Sequence, residues 1–349
     1  EWLTASTIKF VNNWLLESPV SLKFGLWEEP PSVELLTLQE RDIYISYPPG
    51  AIIPIYLISL IKNKFPSPGL IMTFNLINHF LNVFLISLII YYFLTFHKIK
   101  WYYAVFLCIG PILLFIYLPS NLYWFQNVFF ADQAIILYFV IFIFLEILRL
   151  RAKTKTKRIL DLLQGLVLFM GVLTDWFMVF VSITTYLKRI ITKEVERPLQ
   201  KAGAFFLPII IGVVIFFIQM LSVDGFEVFK NRALLYLIYK NNIREIDFIR
   251  KFFGEYFIDS YGIFGLIVIL IGILFIFSLF LLNIKLRVNY KKLRNDFITN
   301  SFSLLFITIV PCVLHFLFFQ YHAYEHNFDA LKYSVPISLS LIILPLIPF

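Results

Sequence analysis

The chain has 349 residues, of which 60% are hydrophobic and only 15% are charged, and its mean hydropathy is +0.82. Soluble globular domains carry about 25% charged residues, so this composition excludes a soluble fold. Backbone amides in hydrocarbon must be satisfied within helices or a closed barrel, and uncharged runs of about 20 residues without alternation are helical. The sequence therefore predicts an all-α fold, a polytopic transmembrane helical bundle in which membrane lipids are the surrounding partners.

The net charge of +8 does not indicate nucleic-acid binding. Lys and Arg occur in short clusters between apolar segments, where they report membrane orientation, and we expect no nucleic-acid partner. Cys108 and Cys312 each lie in an apolar run, so they form neither a disulfide framework nor a CxxC metal site. No initiator Met precedes Glu1 and no signal peptide is visible, which predicts further sequence, with one more helix, upstream.

Residues 1–49 are predicted to form a first outer, extracytoplasmic loop. The stretch 1–46 has seven acidic and three basic side chains, and residues 7–16 carry apolar side chains at helical spacing. This pattern indicates an interfacial helix along the lipid headgroups. Residues 50–349 are predicted to form the transmembrane helical domain.

Nine apolar segments follow in this domain. The positive-inside rule places the basic clusters between them on the cytoplasmic side, which leaves outer loops near 119–132, 223–260 and 319–332. The mixed charges of 223–260 predict an amphipathic helical loop at the membrane surface. The segments are 50–61, 68–95, 101–118, 133–148, 159–187, 202–222, 261–284, 299–318 and 333–349, and the basic clusters are Lys62/Lys64, 149–158, 188–201 and 285–294.

Two segments need special treatment under this rule. Segment 159–187 has basic residues at both ends and a polar break at Thr174-Asp175, so it is predicted to be a hairpin of two short helices with Asp175 and Trp176 at its outer apex. Between residue 62, placed inside, and residue 132, placed outside, the chain must cross the membrane an odd number of times, but the sequence shows two apolar segments. Either 68–95 crosses twice, or Gly110-Pro111 breaks a helix, or one segment does not cross.

Polar residues near a membrane bundle are costly, so their collection on the predicted outer side is informative. The Tyr47-Pro48-Pro49-Gly50 turn follows an acidic loop and opens the next helix. Pro119-Ser120-Asn121-Leu122-Tyr123 precedes Asp132, which opens a span, and the broken pair carries Thr174-Asp175-Trp176. A late loop holds His322, His326 and Asp329. In order and spacing these motifs resemble the GT-C superfamily of membrane glycosyltransferases, in particular its protein O-mannosyltransferase-like branch.

The resemblance implies an inverting transferase at the outer face that uses a polyprenyl-phosphate-sugar donor and a glycan, lipid or protein acceptor. A first-loop carboxylate acts as the base, because an alcohol is a poor nucleophile until its proton is being removed. That position maps to Glu1 or to a residue just before it, with Asp42 as the alternative. The composition, rich in Ile, Phe, Asn and Lys, favours a bacterial plasma membrane.

The departing phosphate gains negative charge in the transition state and needs cations or dipoles nearby. Arg41 and Lys332 are the candidate cations, and His322 and His326 the candidate hydrogen-bond donors. Sugar or acceptor contacts are predicted at Tyr47, Tyr123, Asp132, Asp175 and Trp176, although Trp176 also fits an interfacial anchor and Tyr47 a belt tyrosine. Many members of the superfamily that the chain resembles carry Lys or Arg near the position of Asp175, where this chain has an acid.

No cofactor and no metal are predicted, since His322 and His326 stand at i and i+4 without the HExxH order. His315 is interpreted as a bundle histidine, and Asn75, Asn78, His79 and Asn82 as a polar stripe that faces other helices. Two further functions remain open. One is a polyprenyl-linked glycan polymerase or ligase, and the other is a lipid-linked sugar flippase or transporter, which would place charged residues at mid-membrane along a pore.

Overall fold

The computed structural model describes residues 2–29, 41–195, 197–223, 227, 230–231, 245–285 and 296–344, and the architecture over these ranges is helical. After the first helix, two short strands, β1 (Leu26–Trp27) and β2 (Ile43–Tyr44), pair in antiparallel orientation. Short 3₁₀ helices cover Pro49–Ala51 and Asn327–Tyr333, and a π turn covers Phe252–Phe257. The α-helices are α1 (Trp2–Glu17), α2 (Ile53–Lys62), α3 (Pro68–Phe96), α4 (Trp101–Tyr117), α5 (Pro119–Asn127), α6 (Ala131–Arg151), α7 (Thr154–Val172), α8 (Phe177–Ile191), α9 (Pro198–Ser222), α10 (Glu245–Lys251), α11 (Ile258–Lys285), α12 (Asp296–Phe318), α13 (Gln320–Glu325) and α14 (Ser334–Ile343).

Within the described ranges, five helices are long and apolar enough to cross a membrane, or six when the bent pair α4–α5 is taken as one span. This confirms the prediction of a helical, multi-pass integral membrane protein. The five are Pro68–Phe96, Ala131–Arg151, Pro198–Ser222, Asp247–Ser278 and Thr299–Phe318.

Buried charges gather at the two ends of α6. Asp132 lies in its first turn, and Glu146 and Arg149 lie near its last turn. Glu146 follows Asp132 by fourteen residues, a rise of about 21 Å at 1.5 Å per residue, which approaches the thickness of a bilayer core. We call the two ends of the bundle the Asp132 end and the Arg149 end.

Helix α3 runs once from the Asp132 end to the Arg149 end. Near its start, the Asn75 Nδ2 donates to the carbonyl oxygen of Val128 at 2.5 Å. Near its finish, the Tyr92 carbonyl accepts from Arg151 Nη2 at 2.8 Å. Because α3 is one continuous helix parallel to α6, the alternative in which 68–95 crosses twice is wrong.

Helix α2 does not cross. The turn before it is at the Asp132 end, where Gly50 N donates to the Leu173 carbonyl at 2.6 Å. The ten residues of α2 then lead to Lys62 and Lys64, a few residues ahead of α3, which starts at this same end. The prediction that groups Lys62/Lys64 with the other basic clusters is therefore wrong, and this removes the odd crossing between 62 and 132.

The helix break in this region lies at Leu118, not at Gly110-Pro111, so that second alternative is also wrong. Helix α4 continues through Pro111, and α5 leaves it at an angle of 57°. The residue before a proline is pushed toward extended backbone, and Leu118 has φ −55° and ψ 130°. Pro119 has no N–H to donate to the Phe115 carbonyl, which instead accepts from Asn121 Nδ2 at 2.6 Å.

The predicted hairpin within 159–187 is confirmed as a helix pair. Helix α7 ends at Val172 and α8 begins at Phe177, so the break holds Thr174, Asp175 and Trp176. The Asp175 carboxylate accepts a hydrogen bond from Phe177 N at 2.8 Å, which fixes the start of α8 as an Asx turn.

The remaining predicted loops contain more helix than expected. Segment 119–132 holds α5, and segment 319–332 holds α13 and most of the second 3₁₀ helix. Most of 223–244 and of the basic cluster 285–294 lies outside the described residues, as does the end of segment 333–349. The polar stripe faces other helices as predicted, since its four side chains are at most 4% exposed: Asn75, Asn78, His79 and Asn82.

A charge-balanced cluster closes the Arg149 end. The Glu146 carboxylate accepts from Arg189 at 2.7 Å and from Lys188 at 3.1 Å, which joins α6 to α8. Arg149 donates to Asp161 on α7 at 2.7 Å and to Glu194 beyond α8 at 2.8 Å. With three acids against three bases, this cluster satisfies its own charges and ties three helices together.

Candidate active site

The candidate site is built around one buried ammonium group. Lys332, which is 1% exposed, places its Nζ 2.6 Å from Asp132 Oδ1, 3.0 Å from Asp329 Oδ1 and 3.4 Å from Asp175 Oδ2. All three carboxylates are at most 4% exposed. Three acids therefore surround one base in a region sealed from solvent.

These four side chains are delivered by three different features of the chain. Asp132 belongs to the first turn of α6, and Asp175 to the break between α7 and α8. Asp329 and Lys332 lie three residues apart in the 3₁₀ helix Asn327–Tyr333, where i and i+3 side chains share a face. The site forms only when the helix ends at the Asp132 end meet.

His322 forms the accessible edge of the site, with 23% of its side chain exposed. Its Nδ1 lies 2.6 Å from Asp329 Oδ2, and its Nε2 lies 3.2 Å from the Tyr47 hydroxyl. That hydroxyl donates to Asp132 Oδ1 at 3.4 Å. The Pro48-Pro49 pair after Tyr47 fixes the turn that presents it. The result is a continuous line from Asp329 through His322 and Tyr47 to Asp132.

The charges of this line follow from its neighbours. Burial opposes protonation of His322, but the Asp329 carboxylate outweighs that cost and raises the pKa of the imidazole. Burial would raise the pKa of Asp329, but His322 and then Lys332 hold it well below its ordinary value. Burial, and next the charge of Asp132, raise the pKa of Tyr47, which stays a neutral hydroxyl. The raised pKa favours the imidazolium form of His322, in which both ring nitrogens donate.

The site keeps an excess of negative charge. Lys332 and a protonated His322 balance two of the three carboxylates. Burial, opposed by Lys332, raises the pKa of Asp175 to about 6. Among the described residues, neither Asp132 Oδ2 nor Asp175 Oδ2 has a hydrogen-bond donor, although both oxygens are buried. On α12, His315 faces this region with its Nε2 4.0 Å from Asp175 Oδ1.

An aromatic wall borders His322. The His326 ring stacks on Phe328 with centroids 4.8 Å apart and an interplanar angle of 13°, and its centroid lies 4.6 Å from that of His322. Trp124 on α5 packs edge-on against Phe328 at 5.7 Å, and the Trp2 ring of α1 lies 6.4 Å from His326.

The structure brings together six of the residues predicted for the site and separates four others. The six are Tyr47, Asp132, Asp175, His322, His326 and Lys332. Arg41, predicted as a phosphate contact, instead pairs with Glu17 at 2.7 Å. Asp42 is exposed beside β2, with its backbone bonded to Glu28 and Glu29.

The other two separated residues pack elsewhere. Tyr123 is 52% exposed and packs on Trp124. Trp176 donates its indole N–H to the Ser46 carbonyl at 3.2 Å and meets Phe216 edge-on, which is an anchoring arrangement. Glu1, the predicted base, lies outside the described residues.

Sequence reasoning gave no role to two residues of the site. The sequence places Asp329 in the late loop but does not show that it contacts both His322 and Lys332. Those contacts depend on the 3₁₀ helix Asn327–Tyr333, which the sequence did not predict. Trp2 precedes the predicted interfacial helix at residues 7–16, and the sequence gave it no role. No group of three or more His, Cys, Asp or Glu side chains in the described ranges is arranged to hold a metal ion.

An apolar cavity of about 380 Å³ opens beside the site, between α10, α11 and α12. Its polar members are Gln320, which begins the helix that carries His322, and Tyr333, which follows Lys332. The remaining wall is aliphatic and aromatic: Phe248, Ile249, Phe253, Leu266, Ile269, Leu270, Ile273, Val313, Phe316 and Leu317.

In comparisons with known proteins, no family model matches the chain, and no curated sequence or solved structure is significantly similar to it.

Proposed function

We propose that this protein is a GT-C-type membrane glycosyltransferase that moves a sugar, with inversion, from a polyprenyl-phosphate donor to a glycan, lipid or protein acceptor. The observation that carries the proposal is the position of His322 between Asp329 and Tyr47. An imidazole whose protonated form is favoured, with an exposed edge at the rim of a buried acidic cluster, would place positive charge beside a phosphate oxygen. Its Nε2–H would exchange its bond to the Tyr47 hydroxyl for one to that oxygen. Positive charge and a donor at this position are what a departing phosphate requires.

The contacts around Lys332 shift the phosphate role to His322. Lys332 is buried and shared among three carboxylates, so its charge serves to neutralise them. Arg41 is engaged by Glu17. His322 differs from both in exposure, because 23% of its side chain is accessible against 7% for Arg41 and 1% for Lys332. Its raised pKa favours the positively charged form.

The base stays with the first-loop carboxylates. Asp42 is exposed, and Glu1 precedes Trp2, whose ring lies beside His326. Glu1 is therefore the first carboxylate to test, with Asp42 second. Asp132 is a poorer base because Lys332 already holds its Oδ1.

The orientation of the proposed site follows from the basic residues. The clusters at 149–158 and 188–201 belong to the Arg149 end, so the positive-inside rule puts that end in the cytoplasm and the Asp132 end outside. The apolar cavity would take the first isoprene units of the donor, because it opens among α10, α11 and α12 and reaches Gln320. We propose a bacterial plasma membrane as the location.

A transporter or flippase is the second candidate, favoured by the two buried carboxylate oxygens that accept no hydrogen bond from the described residues. Buried carboxylates in excess of their cations are typical of proton-coupled carriers. A polymerase or ligase would share the phosphate contacts and differ in its acceptor.

The test is transfer of radiolabelled sugar from a panel of polyprenyl-phosphate donors by the purified full-length protein. His322→Gln should lower transfer by at least a hundredfold, while His97→Gln, at the Arg149 end, should leave it unchanged. Wild-type transfer in the His322 variant would contradict the proposed role. Donor movement between leaflets without any sugar transfer would favour the flippase.

A further inference from the structure

The start of α1 holds an exposed tryptophan at the edge of the candidate site. Trp2 is 58% exposed, yet the α1 backbone around it is fixed, since Thr4 and Thr7 hydrogen-bond to the backbone of Phe129. Its ring lies 6.4 Å from the ring of His326. An exposed indole is thus held beside a histidine that borders the site.

His326 complements this indole chemically. It stacks on the buried Phe328 and lies next to His322. Burial, and next the positive charge of His322, lower the pKa of His326, so its imidazole is neutral and can both donate and accept a hydrogen bond. A flat apolar face beside a neutral donor and acceptor suits a pyranose ring, which presents C–H groups on a face and hydroxyls at its rim.

A second exposed tryptophan provides the contrast. Trp101 is 65% exposed at the start of α4, at the Arg149 end, and packs on Tyr102 of its own helix. Trp101 therefore fits an interfacial anchor. Trp2 differs because its ring lies beside His326, a residue from the other end of the sequence whose ring contacts His322.

We propose that Trp2 and His326 form a sugar-binding platform that positions a pyranose unit of the acceptor beside His322. This inference rests on the proposed function, because the bound sugar is an acceptor only if the protein is a glycosyltransferase. It narrows the acceptor class to molecules with a sugar at their reactive end. Trp2 gives the stacking face and His326 binds a ring hydroxyl.

The kinetic test uses the full-length protein and a glycan acceptor. Trp2→Ala should raise the KM for acceptor about tenfold and leave kcat within twofold, and Trp2→Phe should restore most of the affinity. Trp101→Ala is the matched control and should change neither. An unchanged KM in Trp2→Ala would make Trp2 an interfacial anchor and overturn the proposal.

A binding test is independent of transfer. The six tryptophans are labelled as 5-fluorotryptophan, the Trp2 ¹⁹F resonance is identified from Trp2→Phe, and the protein is titrated with methyl α-mannopyranoside and methyl β-glucopyranoside. We expect a saturable shift at Trp2 and none at Trp101, and a loss of that shift in His326→Ala. No Trp2 shift with either glycoside overturns the platform. A shift in a protein that transfers no sugar would support the platform and refute the transferase.

Discussion

Lys332→Met is the sharpest perturbation of the buried cluster. Methionine matches the lysine stem in length but removes the ammonium that lies within 3.4 Å of Asp132, Asp175 and Asp329. Removing one partner of a buried ion pair costs about 3–5 kcal/mol, because it leaves an uncompensated buried charge. We expect a loss of that size at pH 8, a factor of about 100 or more in the folding equilibrium.

The cost should depend on pH. Lys332 lowers the pKa values of Asp175 and Asp329, so without the ammonium both pKa values rise, and at pH 5 protons are taken up and the penalty shrinks. The assay is the fraction of monodisperse protein in detergent after heating, measured at pH 8 and pH 5. Lys201→Met, at an exposed position in the first turn of α9, is the matched control and should stay within about 0.5 kcal/mol of the parent. A Lys332→Met protein as stable as this control at pH 8 would refute the reasoning.

Three further predictions concern other contacts. Asp329→Asn removes the carboxylate that raises the pKa of His322, so the imidazolium loses its proton at a lower pH. The basic limb of the pH–rate profile should therefore shift to lower pH. An unshifted basic limb would exclude His322 as the titrating group. Asn121→Leu leaves the Phe115 carbonyl without its donor and should cost about 1–3 kcal/mol in the same heating assay, and no loss would mean that another donor replaces it. Glu146→Gln should destabilise by about 3–5 kcal/mol because three cations surround that carboxylate, whereas a neutral result would show that the cluster at the Arg149 end is dispensable for stability.

Much of the helical architecture could be predicted because its causes are local. Long uncharged runs predict the spans, and the polar interruption at Thr174-Asp175 separates α7 from α8. The errors between 62 and 132 have a different origin. The path of α3 depends on which ends of α3 and α6 meet, through contacts such as that of Asn75 with Val128, and those contacts are distant in sequence.

The site was predictable in part for the same reason. Composition alone suggests which residues are costly to bury, and Tyr47, Asp132 and His322 do meet. Which charged side chains pair with one another depends on contacts between residues far apart in the sequence. Lys332 could bind a ligand or neutralise acids. Only the approach of Asp132 and Asp175 from other helix ends, beside the neighbouring Asp329, shows the second role.

The loop around Arg41 illustrates the same limit. By sequence, Arg41 stands close to the Tyr47 turn and is a reasonable phosphate contact. In the fold its guanidinium reaches back to Glu17 at the end of α1, a partner 24 positions away. This pair holds the Arg41 guanidinium at the end of α1.

The central claim is that a cationic His322 beside Tyr47 assists the departure of a polyprenyl phosphate. Its most direct test is transfer of radiolabelled sugar from polyprenyl-phosphate donors, with the parent protein, His322→Gln and His97→Gln assayed side by side. The account predicts transfer by the parent and the His97 variant, and a loss of at least a hundredfold in the His322 variant. Transfer by all three at equal rates would contradict the claim.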